Sequence, residues 1–353
     1  AVRTMVEDEP TRPYKTSPGG GGHVAPMGMG AAAHFIGNKG NDSWNWLGTH
    51  MANGCAMGVK MMFDGHADAT MSMQPRLAIA HIHKTAGTTL SAALKYAFGG
   101  RYCLATSRDP AAAFLSADEV RSMTGVYPNL EVVMSHDVRP FGDLHEAFPG
   151  LSYATFVRDP VVRCASHYQY DLQRGGVDLP LEEWLGHDVS PNRQVRHLAG
   201  PGATGDDAVA LVEDRVDFVG VTEHFDASLL MMAAVYGFAR LGYVRKWSAP
   251  SDDIKRRLLD DPVARAMLED ANREDLVLYR HVADEVLPRQ EAAYGPTLAA
   301  DVEAFREANR RMRPRRLYLS PRYAWYVAKW RLAYQPRVDR ARKRAEQRRH
   351  QPV

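Results

Sequence analysis

Through the middle of the chain, short apolar runs alternate with stretches whose apolar residues recur at helical spacing. The run starting at Leu77 (LAIA) stops at a polar turn, HIHKTAGTT, and passes into a helical pattern. Tyr153–Val157 (YATFV) behaves the same way, with a turn at Arg158-Asp159-Pro160 before the next helix, and Glu131–Ser135 (EVVMS) is another such run. A short apolar run bounded by turn residues reads as a fully buried strand, and strands alternating with helices pair in parallel. The expected fold is therefore α/β: a three-layer sandwich whose central, mostly parallel sheet is covered on both faces.

Toward the two ends the pattern changes. Residues 1–75 show little periodicity: SPGGGG over Ser17–Gly22 leads into a mixture of Gly, Met, His and Asn. We expect an irregular arm there that wraps its own domain or a partner. The α/β domain is expected over 76–300, followed by a helical, basic extension over 301–353. In that extension Tyr323, Tyr326, Val327, Trp330, Ala333 and Tyr334 recur at three and four, which describes one face of a docking helix.

Composition changes this picture at a few points. With 353 residues and 45% hydrophobic content the chain can bury one sizeable core. Its net charge is only +2, yet Arg310–Val353 holds fifteen Lys or Arg against Asp339 and Glu346, so the remainder is acidic. The tail could meet a polyanion or an anionic membrane surface; nucleic acid ranks last because no recognition motif accompanies the charge. Three cysteines, Cys55, Cys103 and Cys164, form no paired framework and suggest a reducing compartment, cytoplasm or organelle interior. No apolar run is long enough to span a membrane. The chain starts at Ala1, which points to removal of a leader such as a targeting peptide. Histidines 23, 34, 50 and 66 of the arm lack the close spacing of a metal site, and no metal is expected.

The candidate chemistry sits where strands end. A turn carrying Lys84, Thr85, Gly87, Thr88 and Thr89 before a helix supplies amide dipoles, hydroxyls and one full positive charge, which suits a phosphate or sulfate. The lysine precedes the glycine, so the turn is not the GxxxxGK[ST] loop of nucleotide triphosphate enzymes. Arg158 closes the second strand, Asp159 can cap the next helix, and Pro160 suits its first position. Arg163 and Ser166 follow on that helix, and Arg158 with Ser166 can bind a second phosphate group. A second Arg-Asp-Pro at Arg108 lacks an equivalent of Arg163 and is the weaker copy. Of the 14 histidines, His136 closes the EVVMS strand, so it falls at the carboxyl edge where open α/β sheets bind ligands. It is the preferred general base, with His83, His81 and His167 as runners-up.

HIHKTAGTTL and RDPVVRCASHY together resemble the 5′-phosphosulfate loop and the 3′-phosphate motif of sulfotransferases that use 3′-phosphoadenosine 5′-phosphosulfate (PAPS). The resemblance is closest to carbohydrate O-sulfotransferases of the heparan sulfate 2-O and 6-O kind. Ala86 stands where those families commonly have glycine, and His83 where they commonly have proline. SPNRQVRHLAG (Ser190–Gly200), DFVGVTEHFDASLLMM (Asp217–Met232) and NREDLVLYRHVADEV (Asn272–Val286) fit the same families in order and spacing. The resemblance covers 76–290 and implies a P-loop-like fold, PAPS as co-substrate, a hydroxyl acceptor such as a saccharide, and His136 as the catalytic base. It assigns Lys84 to the leaving phosphate, Thr85, Gly87, Thr88 and Thr89 to the 5′-phosphosulfate, and Arg158 and Ser166, aided by Arg163, to the 3′-phosphate. Acceptor specificity is expected in the loops Gly142–Gly150, Arg174–Arg196 and Gly200–Asp207. Animal enzymes of this kind carry a Golgi anchor; its absence implies a soluble relative or a trimmed chain. The alternative is an idle sulfotransferase-like domain serving as a structural subunit, its arm and tail binding protein partners.

Overall fold

The computed structural model describes residues 74–109, 111–187, 191–244, 252–312 and 320–349; residues 1–73 of the expected N-terminal arm, Cys55 among them, lie outside these. Five strands form one sheet: β1 (Leu77–Ala80), β2 (Tyr102–Leu104), β3 (Val132–Ser135), β4 (Ser152–Val157) and β5 (Phe218–Val221). They lie in the order β2-β3-β1-β4-β5, and every pairing is parallel. Leu77 stands opposite both Val132 and Ser152, so β1 is the central strand. All four of its residues are buried, which requires cover on both faces and explains the unbroken apolar run.

The cover comes from helices threaded between the strands. The first half contributes α1 (Gly87–Phe98), α2 (Ala117–Met123), α3 (Leu144–Ala147), α4 (Pro160–Tyr170), α5 (Leu181–Gly186), α6 (Arg193–Ala199) and α7 (Gly205–Arg215). After β5 come α8 (Phe225–Tyr236), α9 (Asp253–Asp260), α10 (Pro262–Ala271), α11 (Arg273–His281), α12 (Leu287–Tyr294) and α13 (Leu298–Arg310). Side-chain caps fix several starts: Ser116 and Glu119 form a reciprocal capping box on α2, Thr204 and Asp207 another on α7, and Asp159 caps α4 with Pro160 at its first position. The expected loops 142–150 and 174–196 are not wholly irregular, since α3 lies within the first and α5 with part of α6 within the second. Apolar residues too few to signal a helix by period alone, such as Leu144 and Trp184, anchor these short pieces by burial. In β5, Gly220 lets the sheet neighbour close in: a Cβ there would lie 2.5 Å from the Phe156 ring.

The C-terminal extension packs across the β2 edge. Helix α14 (Pro321–Lys329) runs through a wide turn at Trp330–Tyr334 into α15 (Gln335–Arg349). Tyr326 lies against Tyr102 of β2, with ring centroids 5.5 Å apart. Trp330 Nε1 donates to the Leu104 carbonyl at 2.9 Å, and the Tyr334 hydroxyl accepts from the Thr106 amide at 3.0 Å. Arg342 Nε donates to the Ser107 carbonyl at 2.8 Å. Edge strands carry unpaired polar backbone, and here the chain's own tail satisfies the residues that leave that edge. Arg108, the weaker Arg-Asp-Pro copy, sits in this fastened stretch, its amide donating to Glu119.

Candidate functional site

Strands β1 and β4 are neighbours, but the chain leaves β1 toward β2 and β3 and leaves β4 toward β5. Divergent connections open a crevice at the carboxyl ends of such a pair. The turn after β1 and the turn after β4 both fall there. A cleft of about 480 Å3 lined by His145, Tyr153, Glu213 and Asp217 lies instead at the amino end of β4 and β5. Its Glu213 is already held by Arg289 and His281, and the turns carrying Lys84 and Arg158 are at the opposite, carboxyl ends of the strands.

The turn after β1 is tightly built. Thr85, buried, donates its hydroxyl to the Ile82 carbonyl at 2.9 Å, so this hydroxyl closes the turn. Lys84 and Ala86 both take left-handed backbone angles, with φ of 69° and 61°. Ala86 is the cap position of α1; no side chain caps the helix and no acidic residue occupies its first turn. The helix dipole there is left uncompensated by the chain itself. Gly87 cannot be replaced without movement, because a Cβ would sit 1.5 Å from His81 Nε2. Thr88 is exposed and Thr89 half-buried on the first turn.

Arg158 arrives from the β4 side. Its Nη1 donates to the Lys84 carbonyl at 3.1 Å, bridging the two turns directly. Glu223 lies 3.8 Å from its Nε, a buried atom with no hydrogen-bond partner among the described residues. Gln194 of α6 holds the Arg158 backbone by accepting from its amide and donating to its carbonyl, both at 2.9 Å. Lys84 Nζ stands over the Tyr170 ring, 4.4 Å from its centroid. Burial, then the charge of Arg158, lowers its pKa to about 8, with Asp171 opposing.

Arg163 acts on Arg158 through its charge but has no exposure to solvent. Its side chain is fully buried, with Nε 3.8 Å from Asp275 and Nη2 donating to Asn272 at 3.3 Å. Asp275 also accepts from the Gln194 and Val195 amides, at 3.0 and 2.8 Å. Arg163 therefore ties α4 to α11 and to the segment that pins Arg158. Ser166 lies half-buried on α4, one turn further on.

His136 meets the β1 turn from β3. Its Nδ1 lies 2.6 Å from the His81 carbonyl, and because a carbonyl only accepts, Nδ1 carries the proton and Nε2 a lone pair. The ring is sandwiched between two others: His81 at 4.0 Å and His83 at 3.6 Å between centroids. Burial lowers the pKa of His136 to about 4 and that of His167 to about 3, and holds His81, His83 and His197 well below the ordinary value. These imidazoles are neutral at pH 7, so the positive charge of the site belongs to Lys84, Arg158, Arg139 and Arg193. Arg139 bonds His197, and Arg193 Nη2 donates to His83 Nδ1 at 3.4 Å. Sequence reasoning missed Arg139 and Arg193; the only signal was their place, three residues after His136 and inside SPNRQVRHLAG.

No protein-family model and no curated protein matches the chain. Among solved structures it is similar to a sulfotransferase from Alicyclobacillus acidocaldarius, at 15% sequence identity and a TM-score of 0.34, over 59% of this chain and 99% of that one.

Proposed function

We propose that the chain is a PAPS-dependent O-sulfotransferase that moves the sulfuryl group to a hydroxyl of an acceptor, a saccharide by the resemblance of its motifs. The single observation that supports this best is the bond from Arg158 Nη1 to the Lys84 carbonyl at 3.1 Å. Two cradles read from segments far apart in the sequence share one mouth, with a neutral histidine beside them. The chain's own groups fit an adenosine bisphosphate anion: an uncapped helix start without acids, a lysine, and a buried arginine nitrogen lacking a hydrogen bond.

PAPS supplies an activated sulfuryl group on a good leaving phosphate. In this reading Lys84 and the first turn of α1, with Gly87, Thr88 and Thr89, bind the phosphosulfate end and offset charge on the leaving phosphate. Thr85 shapes that turn through its hydroxyl bond to Ile82. Arg158 and Ser166 take the 3′-phosphate, while Arg163 supports Arg158 through Asp275 and Gln194. His136 receives the acceptor proton on Nε2. An anion bound nearby raises its pKa from about 4 toward neutrality, which improves it as a base.

Calorimetry with adenosine 3′,5′-bisphosphate and transfer assays with PAPS test the reading. Micromolar binding is expected, and Lys84→Ala and His136→Ala should each lower turnover by about 100-fold or more with folding unchanged. Full activity in either variant would refute the assignment. Silence at millimolar ligand would leave the domain a structural subunit.

A further inference from the structure

Two stacked histidines beside the mouth carry opposite tautomers. His136 donates through Nδ1 to the His81 carbonyl, leaving a lone pair on Nε2. His83 is reversed. Arginine is a donor only, so the bond from Arg193 Nη2 fixes His83 Nδ1 as the acceptor. The proton of the neutral ring must then sit on Nε2. The two rings lie nearly parallel, 13° apart, with centroids separated by 3.6 Å. His136, Arg193, His81 and His167 surround His83, and none of them is an acid. None of these neighbours favours a second proton on the ring. His83 therefore offers one fixed N–H and no basic nitrogen, and it immediately precedes Lys84 in the turn after β1.

We propose that His83 is a hydrogen-bond donor of the reaction rather than a base, presenting Nε2–H to an oxygen of the transferring sulfuryl group or of the leaving phosphate, and that Arg193 is the positioning residue that holds this tautomer. The inference rests on the sulfotransferase reading. In the step itself the acceptor oxygen forms a bond to sulfur while the sulfur–oxygen bond to the 5′-phosphate breaks, and that electron pair leaves on the phosphate. The acceptor proton goes to His136 Nε2. His83 keeps its own proton throughout. A neutral imidazole is suited to such a role because its N–H polarises an oxygen without giving up the proton. Arg193 stands between the Asn and Gln of the Asn-x-Gln-x-Arg segment, a position to which the resemblance assigns nothing.

Histidine-selective 15N NMR on the full chain reads the tautomer without substrate. The wild-type spectrum should show His83 protonated on Nε2 and His136 on Nδ1. Arg193→Met should move His83 toward a mixture of tautomers. In transfer assays, His83→Phe should lower kcat by about 100-fold, the usual cost of one lost donor to developing charge, with bisphosphate affinity falling by less, about tenfold or under. His83→Gln keeps an amide N–H near the same place and cannot act as a base. It should recover kcat to within about tenfold of wild type. The proposal falls if wild-type His83 is protonated on Nδ1, if His83→Phe turns over like wild type, or if His83→Gln is as slow as His83→Phe. Any of these in a chain that binds the bisphosphate and transfers sulfate leaves the enzyme reading intact. A wild-type chain that neither binds nor transfers removes both.

Discussion

Ala86 shows how a single side chain can cost stability at a site. Its φ of 61° is left-handed, where a Cβ crowds the following carbonyl by about 1–2 kcal/mol. Glycine removes that penalty but gains about 0.4–1 kcal/mol of unfolded-state freedom. Ala86→Gly should therefore stabilise the fold by about 0.5–1 kcal/mol, read as a higher midpoint in urea; an equal loss would mean the turn is not left-handed there. Lys84 makes a different prediction. Its pKa of about 8 leaves it charged at neutrality and progressively neutral above pH 8. A bound anion raises that value, so the ligand is taken up together with a proton wherever the free lysine is neutral. Affinity for adenosine bisphosphate should change little between pH 7 and 8 and fall by up to about tenfold per unit above pH 8, and calorimetry across that range should lose the step in Lys84→Arg.

At the scale of elements, the mouth depends on how α6 and α11 hold the end of β4. Gln194 extends the ladder by one side chain, pairing with both the amide and the carbonyl of Arg158. Its own backbone is in turn held by Asp275, and Asn192 Oδ1 accepts from the Glu274 and Asp275 amides at the start of α11. Gln194→Leu preserves volume but leaves two backbone groups unpaired. At about 1–1.5 kcal/mol each, the expected loss is about 2–3 kcal/mol in unfolding free energy, with weaker bisphosphate binding. Unchanged stability would show that water replaces the amide. The strands that frame this arrangement were legible in the sequence because burial on both faces leaves an apolar run, and the observed β3 and β4 differ from the expected segments by one residue each at their starts. The interlock was not legible. Asn, Gln and Asp in a polar segment fit many loops, and only the approach of α11, some 80 positions along the chain, selects their partners.

Across the whole molecule, five histidines near one sheet edge, His167 and His197 buried and His81, His83 and His136 half-buried, make the fold sensitive to acid. Their folded pKa values lie below the ordinary value, about 4 for His136 and about 3 for His167. In the unfolded chain each returns to about 6.5, so below that pH the unfolded state binds more protons and stability falls as pH falls. Each such histidine costs up to about 1.4 kcal/mol per pH unit between its unfolded and folded values. We expect a steep drop in unfolding temperature between pH 6.5 and 4, followed by circular dichroism and reduced by replacing His167 with Phe; a flat profile would show that these rings are solvated. What the sequence determined by itself was local: strands from apolar runs, helix starts from capping residues, and the presence of two anion-suited turns with a strand-end histidine. Those features rest on interactions within a few residues of one another. Only the tertiary structure decided that Lys84 and Arg158 touch, that Arg163 turns inward to Asp275, and that the tail covers the β2 edge. It also decided which histidine nitrogens carry protons, because a tautomer is set by a partner, and the partners of His83 and His136 come from other strands and helices.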